Sequence, residues 1–303
     1  MNRQMNYEPL RMGQHMNLNN LKTAILLGGL GGLAVVFGGA LGGSSGATFG
    51  LVLGLLMVGG SYWFSDKLAI KAARAQPVTE HDAPWYYSMV RELTSRAGIP
   101  MPRLYIAPSE QPNAFATGRN PSHAAVAITQ GLIQTLEPDE IKGVIAHELA
   151  HVKHRDILIS SVAAAIATGI TFIARMAMWA GMFGGRNDDR NGNPLGMLAL
   201  SILAPIAAGL IQMAISRSRE YDADRGGAQM MGTGEPLARA LEKINMGVAR
   251  RPMQVNPATE NMYIANPFGG AKRPQGAMSF AKLFSTHPPM EERVRRLREF
   301  RPA

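Results

Sequence analysis

The chain of 303 residues contains no cysteine, and only 17% of it is charged, against about 25% in an average soluble protein. The missing cysteines exclude a disulfide framework and thiolate metal sites, so any metal must be held by His, Asp or Glu. The missing charge is concentrated in one place. Positions 23–64 hold no Asp, Glu, Lys or Arg over 42 consecutive residues, a length no soluble domain requires. The mean hydropathy of −0.03 excludes a transporter made almost wholly of spans.

Basic residues are present in excess, 31 Lys and Arg against 22 Asp and Glu, for a formal net charge of +9. Such a balance suits nucleic acid or an anionic surface, and the two differ in where the charge falls. Nucleic-acid binding calls for a basic stripe interleaved with aromatics, whereas membrane proteins collect Lys and Arg in short cytoplasmic loops.

Segments 23–41 and 47–64 are each long enough, at about 1.5 Å per residue, to cross a hydrocarbon core of about 30 Å. The break Gly42-Gly43-Ser44-Ser45-Gly46 predicts a tight hairpin between them. Weaker candidate spans run from about 157 to 174 and from 195 to 215, the alternative being a buried helical hairpin. Arg3, Arg11 and Lys22 precede the first span, Lys67, Lys71 and Arg74 follow the second, and Arg217, Arg219 and Arg225 follow the fourth. Four spans with both ends in the cytoplasm satisfy the positive-inside rule. The divisions expected are a tail over 1–22, a hairpin over 23–64, a cytosolic region over 65–156, a second hairpin over 157–215 and a second cytosolic region over 216–303.

Pro138-Asp139-Glu140 opens an amphipathic stretch, Glu140 to Arg155, which predicts a helix with acidic residues first and basic residues last. Within it lies His147-Glu148-Leu149-Ala150-His151. Histidines at i and i+4 share one helical face, so both imidazoles can reach one Zn²⁺, with Glu148 beside them as general base. The plain alternative is a solvated face with two histidines. A catalytic zinc wants a third protein ligand and an open position. His154 is near, but three ligands along one helix are stretched along its axis. Glu220 is the better candidate, with Asp224 at i+4 positioned to hold a ligand imidazole. His151 lies six residues before the third apolar segment and Glu220 five after the fourth, so a hairpin between them returns the chain to the same surface. The alternative for Glu220 and Asp224 is ion pairing with neighbouring arginines. Upstream, Arg103 to Ala107 and Ala124 to Thr129 read as short strands joined through Asn113-Ala114-Phe115-Ala116-Thr117-Gly118. Ala124 to Thr129 would offer an open edge to an extended substrate, or lie in a buried sheet.

These residues resemble the HtpX-type membrane zinc metalloproteases, relatives of the eukaryotic prenyl-protein (CAAX) proteases. The resemblance rests on Pro112 to Pro121, on His147 to Lys153 with Arg155-Asp156, on Arg219-Glu220-Tyr221 with Ala223-Asp224, and on Phe284 to Pro289. It implies one zinc on His147, His151 and Glu220, Glu148 as general base and proton shuttle, and Asp224 behind a ligand. It further implies that His287 and Arg293 stabilise the tetrahedral intermediate, although Arg293 also fits a plain charged helix, Glu291 to Phe300, paired with Glu292 or Glu299. Asn113, Ala114, Phe115, Ala124 and Val126 are the expected substrate contacts. The implied setting is the bacterial inner membrane, with a cytosol-facing site acting on unfolded or damaged proteins, beside other quality-control proteases and without nucleic acid.

The fold expected is therefore a mainly α membrane protein with four transmembrane helices and a cytosolic zincin-like α+β domain carrying a small sheet. The alternative function is a membrane-anchored scaffold or chaperone-like adaptor, in which a structural zinc needs a fourth protein ligand and His154 is the obvious one.

Overall fold

The computed structural model describes residues 12–158, 217–250, 264 and 288–302. The helices are α1 (Met12–Ala72), α2 (Pro84–Ala97), α3 (Gln130–Thr135), α4 (Pro138–Lys153), α5 (Arg217–Met231), α6 (Glu235–Arg250) and α7 (Met290–Arg298). The strands are β1 (Gln76–Pro77), β2 (Arg103–Ala107), β3 (Ala114–Thr117) and β4 (Ala125–Thr129).

The four strands form one mixed sheet in the order β1-β2-β4-β3. β2 and β4 run parallel with Leu104 opposite Val126, and β3 lies antiparallel to β4 with Phe115 opposite Ala127. Two of these strands coincide with the apolar runs in the sequence. β3 forms in a stretch that reads as a connector, because Ala114 to Thr117 finds a partner in β4 that no local pattern announces. β4 is central and buried at all five positions, so it has no open edge. Among the described strands, the edges of the sheet are β1 and β3.

The core lies between the sheet and the helices. Tyr86, Val90 and Leu93 of α2 meet Leu104, Val126 and Ile128 of the sheet, while Ile145 and Leu149 of α4 and Leu237 and Leu241 of α6 complete it. α4 starts with Pro138 in the first turn and a capping box. Glu137 accepts from the backbone of Glu140, and the Glu137 N–H donates to Glu140 Oε2 at 2.9 Å. Glu140 also accepts from Lys243 Nζ at 2.8 Å and Arg239 Nε at 3.4 Å, pinning α4 to α6. The helix ends at Lys153, two residues short of the expected Arg155, because Arg155 takes a left-handed φ of 61°.

α1 is a long arm. Gly43 takes φ +60°, and a Cβ on Gly39 would stand 3.5 Å from Ala47 Cβ. Residues eight apart on a straight helix are separated by about 12 Å, so the chain folds back at Gly43, inside the polar break. Large apolar side chains along the returning limb face outward, with Phe49 68%, Leu55 63% and Leu56 68% exposed. Side chains are described for only part of 23–64; among the described residues no helix is long and apolar enough to cross a membrane. The candidate span over 195–215 lies outside the described residues, as does that over 157–174 apart from Ile157 and Leu158. The end of the arm joins the sheet, where Ala69, Ile70 and Ala73 pack on Phe115, Ala107 and Ala127.

Candidate metal centre

The site forms where α4 and α5 cross at close range. A Cβ on Gly227 would stand 2.9 Å from the backbone N of His147, and one on Gly226 would stand 2.9 Å from Ala150 Cβ. Only glycine lets α5 lie so near the histidine helix. As a result Glu220, 69 residues beyond His151 in the sequence, comes beside both histidines.

His147, His151 and Glu220 present ligand atoms within 4.8 Å of one another. Glu220 reaches His147 Nε2 at 3.8 Å and His151 Nε2 at 3.6 Å. The imidazoles are nearly perpendicular, with centroids 4.8 Å apart. Two bonds of about 2.0–2.1 Å at a tetrahedral angle separate their ligand atoms by about 3.3 Å, so the two Glu220 contacts lie close to the spacing an ion requires. His154 is not in this group; it lies against Gly226 and lines a separate cavity with Arg96, Gln229 and Met230.

The other ring nitrogens turn to carboxylates. Asp224 Oδ1 stands 2.9 Å from His147 Nδ1, at an angle too bent for an in-line hydrogen bond. Asp156 Oδ2 stands 3.2 Å from His151 Nδ1. A carboxylate behind each imidazole favours the proton on Nδ1 and leaves the Nε2 lone pair for an ion. Asp156 has no place among the residues singled out by spacing. The signal for it was the Arg155-Asp156 pair, since the left-handed turn at Arg155 sends the next carboxylate back along α4.

Four carboxylates are buried here, Glu148, Asp156, Glu220 and Asp224, with two buried guanidiniums, Arg219 and Arg293. Counted with neutral histidines and ionised carboxylates, the cluster carries a formal excess of negative charge, a setting that suits a cation. Burial pulls the basicity of His151 down, but Asp156, Glu220 and Glu148 outweigh it and push its pKa up to about 9, so the cluster attracts cations. Burial raises the Glu148 carboxyl above its ordinary range; Glu220 acts in the same sense, while His147, His151 and the Ala116 N–H oppose it.

Glu148 Oε2 accepts from the backbone N–H of Ala116 at 2.9 Å, which holds it against the outer side of β3. Arg293 is fully buried. Its Nε and Nη2 donate to Asp224 Oδ2 and Oδ1 at 2.8 and 2.7 Å, and its Nη1 donates to the Ile264 carbonyl at 3.1 Å and lies 3.5 Å from Glu220. Glu292 and Glu299 are engaged instead by Arg295 and Arg296. Asn113 accepts from the Ile264 N–H at 3.1 Å. Ala114 and Phe115 are buried in β3, and Ala124 and Val126 are buried in or beside β4, away from any edge. His287 lies outside the described residues.

The chain matches peptidase family M48 over residues 80–301. It belongs to that family. It is 53% identical over 285 residues to a protein named Protease HtpX homolog from Syntrophobacter fumaroxidans, covering 92% of this chain and 99% of the relative. A protein of the same name from Pelotomaculum thermopropionicum is 52% identical over 283 residues, covering 92% and 98%. Among solved structures, S. mikatae Ste24p aligns with a TM-score of 0.50 at 16% identity, covering 94% of this chain and 66% of that one, a likeness of fold alone. Membership in M48 makes this chain a metalloprotease with an HtpX-type sequence, and the His147, His151 and Glu220 group is where a metal could be held.

Proposed function

We propose that this M48 peptidase is a membrane-anchored zinc endopeptidase that cleaves unfolded or damaged proteins from the cytosolic side of the bacterial inner membrane. The observation that carries the reading is the convergence of two Nε2 atoms and the Glu220 carboxylate beside Glu148, which is itself fixed to an edge strand. Nitrogen and oxygen donors in a three-residue set suit zinc, which when bound supplies Lewis acidity toward a carbonyl and toward water.

The protein's own groups do the rest. An extended substrate adds along the outer side of β3, near Asn113, Ala114 and Phe115, so backbone pairing selects unfolded chains with little regard to side chains. Glu148 takes a proton from the attacking water and returns it to the leaving amine. Its raised pKa suits both steps. Arg293 holds Asp224, whose carboxylate lies against His147 Nδ1. The outward apolar side chains of α1 supply the anchor, since a water-soluble arm with Phe49, Leu55 and Leu56 exposed is costly. Basic residues at the membrane-proximal end support a site that faces the cytoplasm.

The test is Glu148→Gln, assayed on casein with zinc content measured alongside. A fall in cleavage of at least about 10²-fold with zinc retained is expected for loss of a general acid–base group. Undiminished cleavage by the zinc-loaded variant would remove Glu148 from the mechanism.

A further inference from the structure

A second feature lies where α1 meets the sheet. Two adjacent cavities, of about 650 and 700 Å³, share Asp66, Lys67 and Arg103 in their walls. The first is also lined by Trp63, Phe64, Arg119 and His123, and the second by Lys71 and Arg74. Five cationic side chains thus surround one carboxylate, Asp66, and Arg103 holds that carboxylate at 2.5 Å. The Arg119 guanidinium lies over the Trp63 ring, 4.8 Å from its centroid, and Lys67 Nζ lies 5.5 Å from the Phe64 centroid. Trp63 and Phe64 are 57% and 51% exposed and belong to the outward apolar residues of α1, which begin at Phe49 and reach Leu68.

We propose that the cavity lined by Trp63, Phe64, Lys67, Arg103 and Arg119 binds the headgroup of an anionic phospholipid. Guanidinium and ammonium groups match a phosphate. Free phosphate would use those cations equally well, but it would have no use for two exposed aromatic rings and an apolar helix leading away from them. A phospholipid uses both, its headgroup against Lys67, Arg103 and Arg119 and its chains along α1. Aromatic side chains at the junction of an apolar segment and a basic cluster occupy the headgroup level of a bilayer. The proposal rests on the membrane-anchored reading and adds a lipid class and a site to it.

The experiment uses the full chain in mild detergent, exchanged into equimolar phosphatidylglycerol and phosphatidylcholine, with retained lipid counted by native mass spectrometry. The wild type should retain phosphatidylglycerol preferentially. Each cation near the headgroup contributes about a fivefold preference, so Lys67→Glu with Arg119→Glu should abolish it. Arg295→Glu, on the far helix α7, should leave it intact. Preference that survives the double substitution overturns the proposal. Displacement of phosphatidylglycerol by excess inorganic phosphate alone overturns the choice of lipid over free anion. If the double variant does not fold, Arg119→Gln should still lower retention by about fivefold, and unchanged retention has the same overturning force. Casein cleavage on the same preparations separates the two readings. Zinc-dependent cleavage without lipid preference sinks the lipid site alone, whereas lipid preference without cleavage sinks the protease reading alone.

Discussion

The peptidase body and the α1 arm place the same kinds of side chain on opposite sides. In the body, Leu93, Leu149 and Leu241 are buried, yet Glu140, Glu148, Asp156, Asp224 and Arg293 are buried with them. In the arm, Leu51, Leu55 and Leu56 face outward and 42 positions carry no charge. Burying ionised groups costs several kcal/mol apiece unless they are paired, and the body pairs them around a cleft that attracts a cation. Exposing apolar groups is costly only in water. The contrast is between a body whose buried charges, Glu140 apart, gather at the site and an arm whose large apolar side chains face outward.

The strongest way to break this contrast is Arg293→Ala. It strands Asp224 and Glu220 as buried carboxylates, and removing one partner of a buried pair costs about 3–5 kcal/mol. For a body of this size that is a fall in Tm of roughly 10 °C, read by thermal unfolding. Zinc occupancy should fall with it, because Asp224 loses the guanidinium that orients it toward His147. Arg293→Lys restores charge without the two-pronged grip and should recover stability more than occupancy. An unchanged Tm for Arg293→Ala would mean that the buried charges are not interdependent.

Next in size is Leu55→Lys in the arm. A lysine at the centre of a membrane segment costs about 3 kcal/mol relative to leucine. The fraction of protein resisting alkaline extraction from membranes should drop sharply, while zinc content and detergent-phase cleavage stay near wild type. Equal loss of zinc would show that the arm and body are one unit energetically.

What could be read from the sequence follows the same division. The histidine pair, Glu148 and the start of α4 were legible because helical periodicity and capping are local. Glu220 follows from asking where an apolar hairpin would return the chain, and the structure brings it beside the histidines. The close crossing that brings it in depends on Gly226 and Gly227, whose role appears only when Ala150 and the His147 backbone are seen against them. β3 and the Ala116 contact to Glu148 escaped, because edge pairing is a tertiary event. So did the bond from Asn113 to Ile264, across 151 positions. Arg293 lies in a run of arginines alike in sequence; the family resemblance picks it out, and in the structure burial separates it from Arg295 and Arg296.

A smaller effect is expected from Glu140→Gln, about 1–3 kcal/mol, because the buried carboxylate accepts from Lys243, Arg239 and the Glu137 N–H. Burial raises the Glu140 pKa, but Lys243, Glu137 and Arg239 prevail and hold it below the ordinary value of 4.5. A depressed carboxylate adds stability that is complete above its unfolded pKa and is lost as pH falls through the folded one. The stability gap between wild type and Glu140→Gln should therefore be full at neutral pH and shrink below about pH 4.5. A gap independent of pH would assign the effect to packing.

The smallest effect sharpens the comparison most. Arg295 makes four hydrogen bonds to Glu292 and Glu299, at 2.8 to 3.0 Å, more than Arg293 makes to Asp224. Counted by contacts, Arg295→Ala should be the more damaging substitution. Yet Arg295 and its partners lie in water, where attraction between charges is screened and holding long side chains in one geometry costs entropy. Thermal unfolding of Arg295→Ala should be indistinguishable from wild type at physiological ionic strength, beside a large loss for Arg293→Ala two positions away on the same helix. If the two arginines cost the same, burial would not be what gives the charges of this site their weight.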